Sequence, residues 1–521
     1  MKQRGASRAE KVETLIMNQP KHSDPAAPLP KLLLDSALRQ ADEVLLVGVT
    51  SSENGELKAV GSAFSPRQTE ELARSLRSVG AKGKALELFR LPAPSDLNVT
   101  SVLAVGLGTE EESEDPERIR RAAGIAARAL GDVSNIATTL SELDLGATVE
   151  GFVLGGYKFD AYKSAAQTEG AKQLRLLVDH PRSAQAKADL AHAQSVVESV
   201  CAARDFVNTP PNHLYPDSFA IRVVTFAKAL GVAAEVLDEK QLAKGGYGGV
   251  VGVGQGSSRP PRLVKLEYRG RKDKNAGVDV ALVGKGVTFD TGGISIKPAA
   301  GMEHMTSDMG GAAAVAGAIF AAAKLALPLN ITATLPMVEN MPSSTAQRPG
   351  DVITHYGGKT TLVINTDAEG RLILADAIVS ACERDPVYLI DVATLTGAQM
   401  VALGARTPGV MGTEEFRDRV SEISRSVGEG GWSMPLPEEL ADDLKSPIAD
   451  LANVTNHRNG GMLSAALFLK EFVSPDVSWA HLDVAGPAYN TGSAHGYTPK
   501  GGTGVPVRTL VAVLEDIVQR G

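Results

Sequence analysis

At 521 residues the chain exceeds the roughly 250–300 residues at which a single hydrophobic core stops growing, so two domains are expected. Its 43% hydrophobic and 22% charged residues exclude wholesale disorder, and 4% aromatics beside 53 glycines favour closely packed α/β layers over an aromatic-rich binding module. A net charge of −8 repels phosphate backbones and argues against a nucleic-acid partner.

The two cysteines, Cys201 and Cys382, form neither a metal-ligand pair nor a disulfide framework, which fits a reducing compartment. The opening MKQRGASRAEKVETLIMNQP carries charges throughout and no apolar h-region, so no secretory signal is expected there. No stretch is read as the roughly 20 apolar residues of a membrane span. Asn98, Asn330 and Asn453 each begin an Asn-x-Ser/Thr pattern, which means nothing in a cytoplasmic chain, and the cytoplasm is the expected location.

In chain order, residues 1–30 read as a flexible, charge- and proline-rich tail. Residues 31–182 read as a first α/β domain, with strands at Val44–Val49, Val102–Gly106 and Leu174–Val178. A helix at Arg118–Leu130 follows an acidic opening. Residues 183–206 read as a connecting helix that stops at the Asn208-Thr209-Pro210-Pro211-Asn212 breaker. Residues 207–521 form the second domain. Its apolar runs at Leu263–Leu266, Val278–Val283, Ile331–Leu335, Thr361–Ile364, Val387–Val392 and His481–Val484 alternate with helical runs at Ala312–Ala326, Leu372–Glu383 and Met462–Phe472. Runs apolar on both faces predict a central, mostly parallel sheet covered by helices on both sides.

In an open α/β sheet the residues just after the strands face the ligand crevice. Here these are Lys285, Asp290 and Lys297 in GKGVTFDTGGISIKP, Asp308 ahead of a small-residue helix, and Asp367, Glu369 and Arg371 in NTDAEGRL. Taken singly, Asp308 reads as a helix N-cap, Asp367 and Glu369 as solvated turn residues, and the lysines as surface charges. Taken together, four carboxylates predicted to meet at one sheet edge must take up protons or bind cations. Two divalent metals balance Asp290, Asp308, Asp367 and Glu369, and such ions about 3.5–4 Å apart can activate a water and clamp a tetrahedral intermediate. Oxygen ligands suit Mn²⁺ or Mg²⁺, and Zn²⁺ accepts them as well. Beside two cations Lys285 would be driven neutral and could ligate as an amine, Lys297 could polarise a carbonyl, and Arg371 suits a bound oxyanion.

The NTDAEGRL segment resembles the signature of the leucyl (cytosol) aminopeptidase family of two-metal exopeptidases. So do ARDFVNTPPN from Ala203, VGVGQGSS from Val251, VGKGVTFDTGGISIKP from Val283, SDMGGAAAV from Ser307 and DVATLTGA from Asp391. The likeness runs from about Ala202 onward and is looser before it, mainly at VEGFVLGGYKFDAYK from Val149. It implies a metal-dependent aminopeptidase that releases leucine and other, mostly apolar, N-terminal residues from peptides. By position, Lys285, Asp290, Asp308 and Glu369 would hold one ion, Mn²⁺ or Zn²⁺, and Asp290, Asp367 and Glu369 the other. Lys297 and Arg371 match the family's active-site pair, with a bicarbonate at Arg371 as proton shuttle. Met305, Thr394 and Gly397 match positions near the pocket for the N-terminal side chain. A metal-held α-amine would restrict attack to the first peptide bond, and the resemblance also implies a homohexamer.

Two rivals remain. The first is an added DNA-binding or recombination accessory role, opposed by the net charge and the lack of a Lys/Arg run. The second is nucleotide binding at the Gly252, Gly254 and Gly256 or Gly284 and Gly286 runs, which lack a full dinucleotide or Walker A pattern.

Overall fold

A computed structural model of the chain describes residues 29–164, 170–273 and 275–520. All but the last two residues of the expected N-terminal tail lie outside them.

The first strands are β1 (Lys31–Asp35), β2 (Val44–Ser51), β3 (Leu57–Ala59), β4 (Leu88–Pro92), β5 (Ser101–Gly108), β6 (Asn135–Thr138) and β7 (Gln173–Leu177). Among the described residues they form one sheet in the order β1-β7-β6-β2-β5-β4, with β3 on β2. The β1-β7-β6-β2-β5 pairings are parallel, whereas β3 and β4 run antiparallel. Helix α1 (Pro116–Ala129) starts where the acidic opening predicted: the Asp115 side chain accepts from the Glu117 N–H and Pro116 occupies the first turn. Helix α2 (Leu145–Gly156) packs on it.

Helix α3 (Ala184–Asn208) is capped by Ser183, whose side chain accepts from the Ala186 N–H. It runs two residues past the expected Phe206, because the prolines that forbid continuation come only at Pro210 and Pro211. Its buried Val196, Val197, Val200, Ala203 and Phe206 join a single apolar cluster that contains Leu46 and Phe152 on one side and Leu282 and Val392 on the other. The connecting helix is therefore a shared wall of the core, not a solvated spacer.

Beyond it come β8 (Ala233–Leu237), β9 (Arg262–Arg269), β10 (Val280–Gly284), β11 (Gly286–Asp290), β12 (Asn330–Asn340), β13 (Val352–Thr354) and β14 (Thr360–Leu362). They are followed by β15 (Tyr388–Ala393), β16 (Gly409–Gly412), β17 (Trp432–Ser433), β18 (Leu451–Ala452) and β19 (Ser478–Asp483). The main sheet runs β17-β16-β19-β15-β10-β12-β9-β8, with β11 on β12. Its centre, β12-β10-β15-β19, is parallel, and β9 and β16 flank it antiparallel.

Because successive side chains point to opposite faces, Val280 and Leu282 pack on the layer of helix α4 (Gly310–Lys324), while Ala281 and Val283 pack on that of helix α5 (Gly370–Cys382). This two-sided cover is why the strands read as continuous apolar runs. The run at Thr361–Ile364 is the exception. It forms the three-residue β14 in a separate sheet, β13-β14-β18, with Ile364 exposed beyond its end. A second correction concerns membrane spans: Met302–Lys324 is long and apolar enough to cross one, but 89% of its apolar window is buried, as in a core helix.

Candidate metal centre

Asp290 ends β11, which is itself a strand and not the loop expected after β10. It pairs with Met337–Asn340 of β12. Its Oδ1 accepts from the Gly292 N–H and from Asn340 Nδ2, each at 2.8 Å. Asp308 follows a 3₁₀ turn (Met302–Ser307) that carries Met305. It caps no helix. Its Oδ1 instead accepts from Lys285 Nζ and Thr394 Oγ1, both at 2.8 Å. Asp367 and Glu369 lie in the turn between the small sheet and α5, so the carboxylates converge from two sheets and not along one edge.

Asp290, Asp367 and Glu369 each offer an oxygen within 4.8 Å of the other two. Asp308 joins through Lys285, whose Nζ lies 2.8 Å from it and 2.9 Å from Glu369 Oε1, and donates to the Thr394 carbonyl at 2.8 Å. Burial opposes the Lys285 ammonium, but Asp308, Glu369 and Asp290 outweigh it and hold its pKa above the usual lysine range. Its ammonium is thus the counter-charge to Asp308 and Glu369. Helix α5 leaves it room because residue 370 is glycine: a Cβ there would stand 2.6 Å from Lys285 Cε.

Lys297 closes the other side, 2.7 Å from Asp290 Oδ2 and 2.5 Å from Asp367 Oδ1. Burial raises the pKa of Asp308, Asp367 and Glu369, with the neighbouring carboxylates acting in the same direction. Three buried carboxylate oxygens, Asp308 Oδ2, Asp367 Oδ1 and Glu369 Oε2, have no hydrogen-bond partner, and of these Asp367 Oδ1 is ion-paired to Lys297. A buried carboxylate oxygen without a donor is costly, and a divalent cation is the group that would satisfy it, so the donor set fits metal.

Arg371 is buried on α5, donating from Nη1 to the Asn453 carbonyl at 2.7 Å while its Nε lacks a partner. Burial pushes its pKa down to about 10, so it remains a cation at neutral pH. Thr394 follows β15 and is buried, whereas Gly397 is exposed at the start of helix α6 (Gly397–Leu403) and has open space where a Cβ would be. Met305 is half-buried.

Two supporting residues were missed. Asn340 orients Asp290, and its place at a strand end is the signal that should have flagged it. Asn453, dismissed as a meaningless sequon, is fully buried; it accepts from the Ile364 N–H at 2.8 Å and donates to the Asn365 carbonyl at 2.6 Å, which shapes the NTDAEG turn. No local pattern points to it. The Gly-rich run at Gly248–Gly254 is a short helix, not a phosphate loop: a Cβ at Gly249 would lie 2.1 Å from the Leu372 carbonyl, so glycine serves close packing there.

Residues 201–511 match the model of the cytosol aminopeptidase family catalytic domain, and residues 46–166 that of its N-terminal domain. The chain is 60% identical over 503 residues to a "Probable cytosol aminopeptidase" of Rhodococcus jostii, covering 95% of this chain and 99% of the relative. It is 61% identical over 498 residues to one of Nocardia farcinica, covering 94% and 97%. Among solved structures it resembles a mutant of tomato leucine aminopeptidase, with a TM-score of 0.83 and 30% identity over 97% of this chain and 99% of that one. It also resembles the bottromycin maturation enzyme BotP in complex with Mn, with a TM-score of 0.80 and 35% identity over 92% and 100%. Nothing among these likenesses points to a nucleic-acid role. A buried acidic cluster with oxygens left over, on a two-domain α/β fold matched almost end to end, has one reading: the chain belongs to the cytosol aminopeptidase family, the M17 metallo-aminopeptidases.

Proposed function

We propose that the chain removes leucine and other, mostly apolar, residues from the N-terminus of peptides, using two divalent cations, Mn²⁺ or Zn²⁺. Lys285, Asp290, Asp308 and Glu369 would hold one and Asp290, Asp367 and Glu369 the other. The observation that carries this reading is the pair of buried, donor-less oxygens, Asp308 Oδ2 and Glu369 Oε2. The cations supply Lewis acidity and a lowered water pKa.

The chain's own groups do the rest. Lys297, ion-paired to Asp290 and Asp367, stabilises the oxyanion that develops on the attacked carbonyl. Arg371, with Nη1 committed to Asn453 and Nε without a partner, would hold a bicarbonate, which would supply a proton acceptor where the cations engage the carboxylates of the cluster. Met305, Thr394 and Gly397 border the N-terminal side chain of the peptide, and the open space at Gly397 suits a roomy pocket. The enzyme works as a cytoplasmic homohexamer, an assembly whose size scattering or sedimentation measures directly.

The decisive assay is hydrolysis of Leu-p-nitroanilide and its N-acetylated form by metal-stripped protein, with and without added Mn²⁺ or Zn²⁺. Activity restored by metal on the free-amine substrate alone is expected. Equal cleavage of the blocked substrate would overturn the requirement for a free amine.

A further inference from the structure

Asp483 ends β19 in register with Ala393, the last residue of β15, and is fully buried. Its carboxylate therefore sits beside the point where the chain leaves the sheet towards the candidate metal centre. Oδ1 accepts from the Leu395 N–H at 3.1 Å and from the Ala485 N–H at 3.2 Å, and Oδ2 accepts from Thr396 Oγ1 at 2.7 Å. The turn held in this way begins with Thr394, whose carbonyl takes Lys285 Nζ and whose hydroxyl donates to Asp308. It ends with Thr396, whose hydroxyl oxygen also accepts from the Gln399 N–H and so caps the helix that starts at Gly397.

A buried carboxylate is expensive when its donors are neutral, and an apolar residue would fill the same space at lower cost. What the acid provides is three directed contacts, two of them on this single turn. We infer that Asp483 is a positioning residue for the peptidase reaction: it fixes the Thr394–Leu395–Thr396 turn so that one face of it holds Lys285 and Asp308 while its end sets the pocket at Gly397. The inference rests on the proposed roles of Lys285, Asp308 and Gly397.

The test compares four variants with wild type on Leu-p-nitroanilide at saturating Mn²⁺: Asp483→Asn, Asp483→Ala, Thr396→Val and Thr396→Ser. Thr396→Val and Asp483→Ala should lower kcat/KM by about ten- to a hundredfold, the range seen when groups behind a metal site are removed, with KM rising as kcat falls. Asp483→Asn, which still accepts from Leu395 but not from the Thr396 hydroxyl, should fall in between. Thr396→Ser, which keeps the hydroxyl, should restore most of the activity. A merely structural role lowers the active fraction and leaves KM untouched. The inference is overturned if Thr396→Val keeps wild-type kcat and KM, if Thr396→Ser is as impaired as Thr396→Val, or if Asp483→Asn loses only folded yield at unchanged KM. Wild-type protein that fails to cleave the substrate with Mn²⁺ overturns the underlying reading, an outcome separable from these three.

Discussion

Two buried charge networks in this chain are built on opposite terms. One joins the N-terminal domain to the C-terminal helix α7 (Val507–Arg520). Arg508 reaches Glu150 at 3.1 Å, Glu429 at 3.7 Å and the Tyr497 hydroxyl at 2.5 Å. Arg120 bridges Glu150 and Glu117 at 2.7 Å each, and Arg121 takes the second oxygen of Glu117. Three arginines thus meet three glutamates, and Glu429 Oε2 is further satisfied by the Thr509 N–H and hydroxyl. Among the described residues, none of these groups is a buried atom without a partner. At the metal centre two lysines contact four carboxylates, and Asp308 Oδ2 and Glu369 Oε2 are left over. A network that serves stability saturates its charges. One that serves binding keeps acceptors in reserve, and the difference lies in single oxygens, not in burial.

The largest effect expected from this contrast is on activity. Glu369→Gln should lower kcat/KM by about a thousandfold or more, since a metal contributes several kcal/mol of transition-state stabilisation and each tenfold is about 1.4 kcal/mol. Denaturant unfolding of the metal-free variant should move by no more than about 1 kcal/mol, because the amide oxygen still accepts from Lys285. Arg508→Met should do the reverse. Leaving Glu429 without its arginine and Glu150 with Arg120 alone costs about 3–5 kcal/mol of stability, while the folded fraction keeps its turnover. A large stability loss in the first variant, or lost turnover in the folded fraction of the second, would erase the distinction.

Gly370→Ala is next. The added Cβ displaces the flexible end of Lys285, so activity should drop by about a hundredfold, as for an ångström-scale misplacement, with little change in melting temperature. The smallest effect belongs to His192, which bonds Glu515 of α7 at 2.7 Å. That hydrogen bond raises its pKa, so its contribution is complete below the unfolded value of about 6.5 and is lost as pH rises through the higher folded value. The side chain is 43% exposed, so screening keeps this below about 1 kcal/mol. Stability measured against pH should flatten slightly in His192→Gln.

The strands at β2, β5, β10, β12 and β15 were legible because both faces are covered and the apolar runs are unbroken. Strand β11 was not, because Gly-Val-Thr-Phe-Asp is too short and too mixed to stand out from the glycines around it. The candidate site residues were legible as charges among glycines at chain turns, and NTDAEGRL named their family. Of their supporters, Asn340 and Asp483 were marked only by standing at strand ends, and Asn453 carried no local mark.

Sequence alone singled out Asp290, Asp308, Asp367 and Glu369, with Lys285 and Lys297, as charges at chain turns and expected the carboxylates to meet at one sheet edge, because strand ends and turn glycines are written in local spacing. Only the tertiary structure decided which of their oxygens are spent on hydrogen bonds and which are held in reserve. The donors that settle it, Asn340 to Asp290 and Thr394 to Asp308, stand 50 and 86 residues from their acceptors. Strand pairing and the turns it anchors bring such partners together, and neither is set by the spacing of residues along the chain.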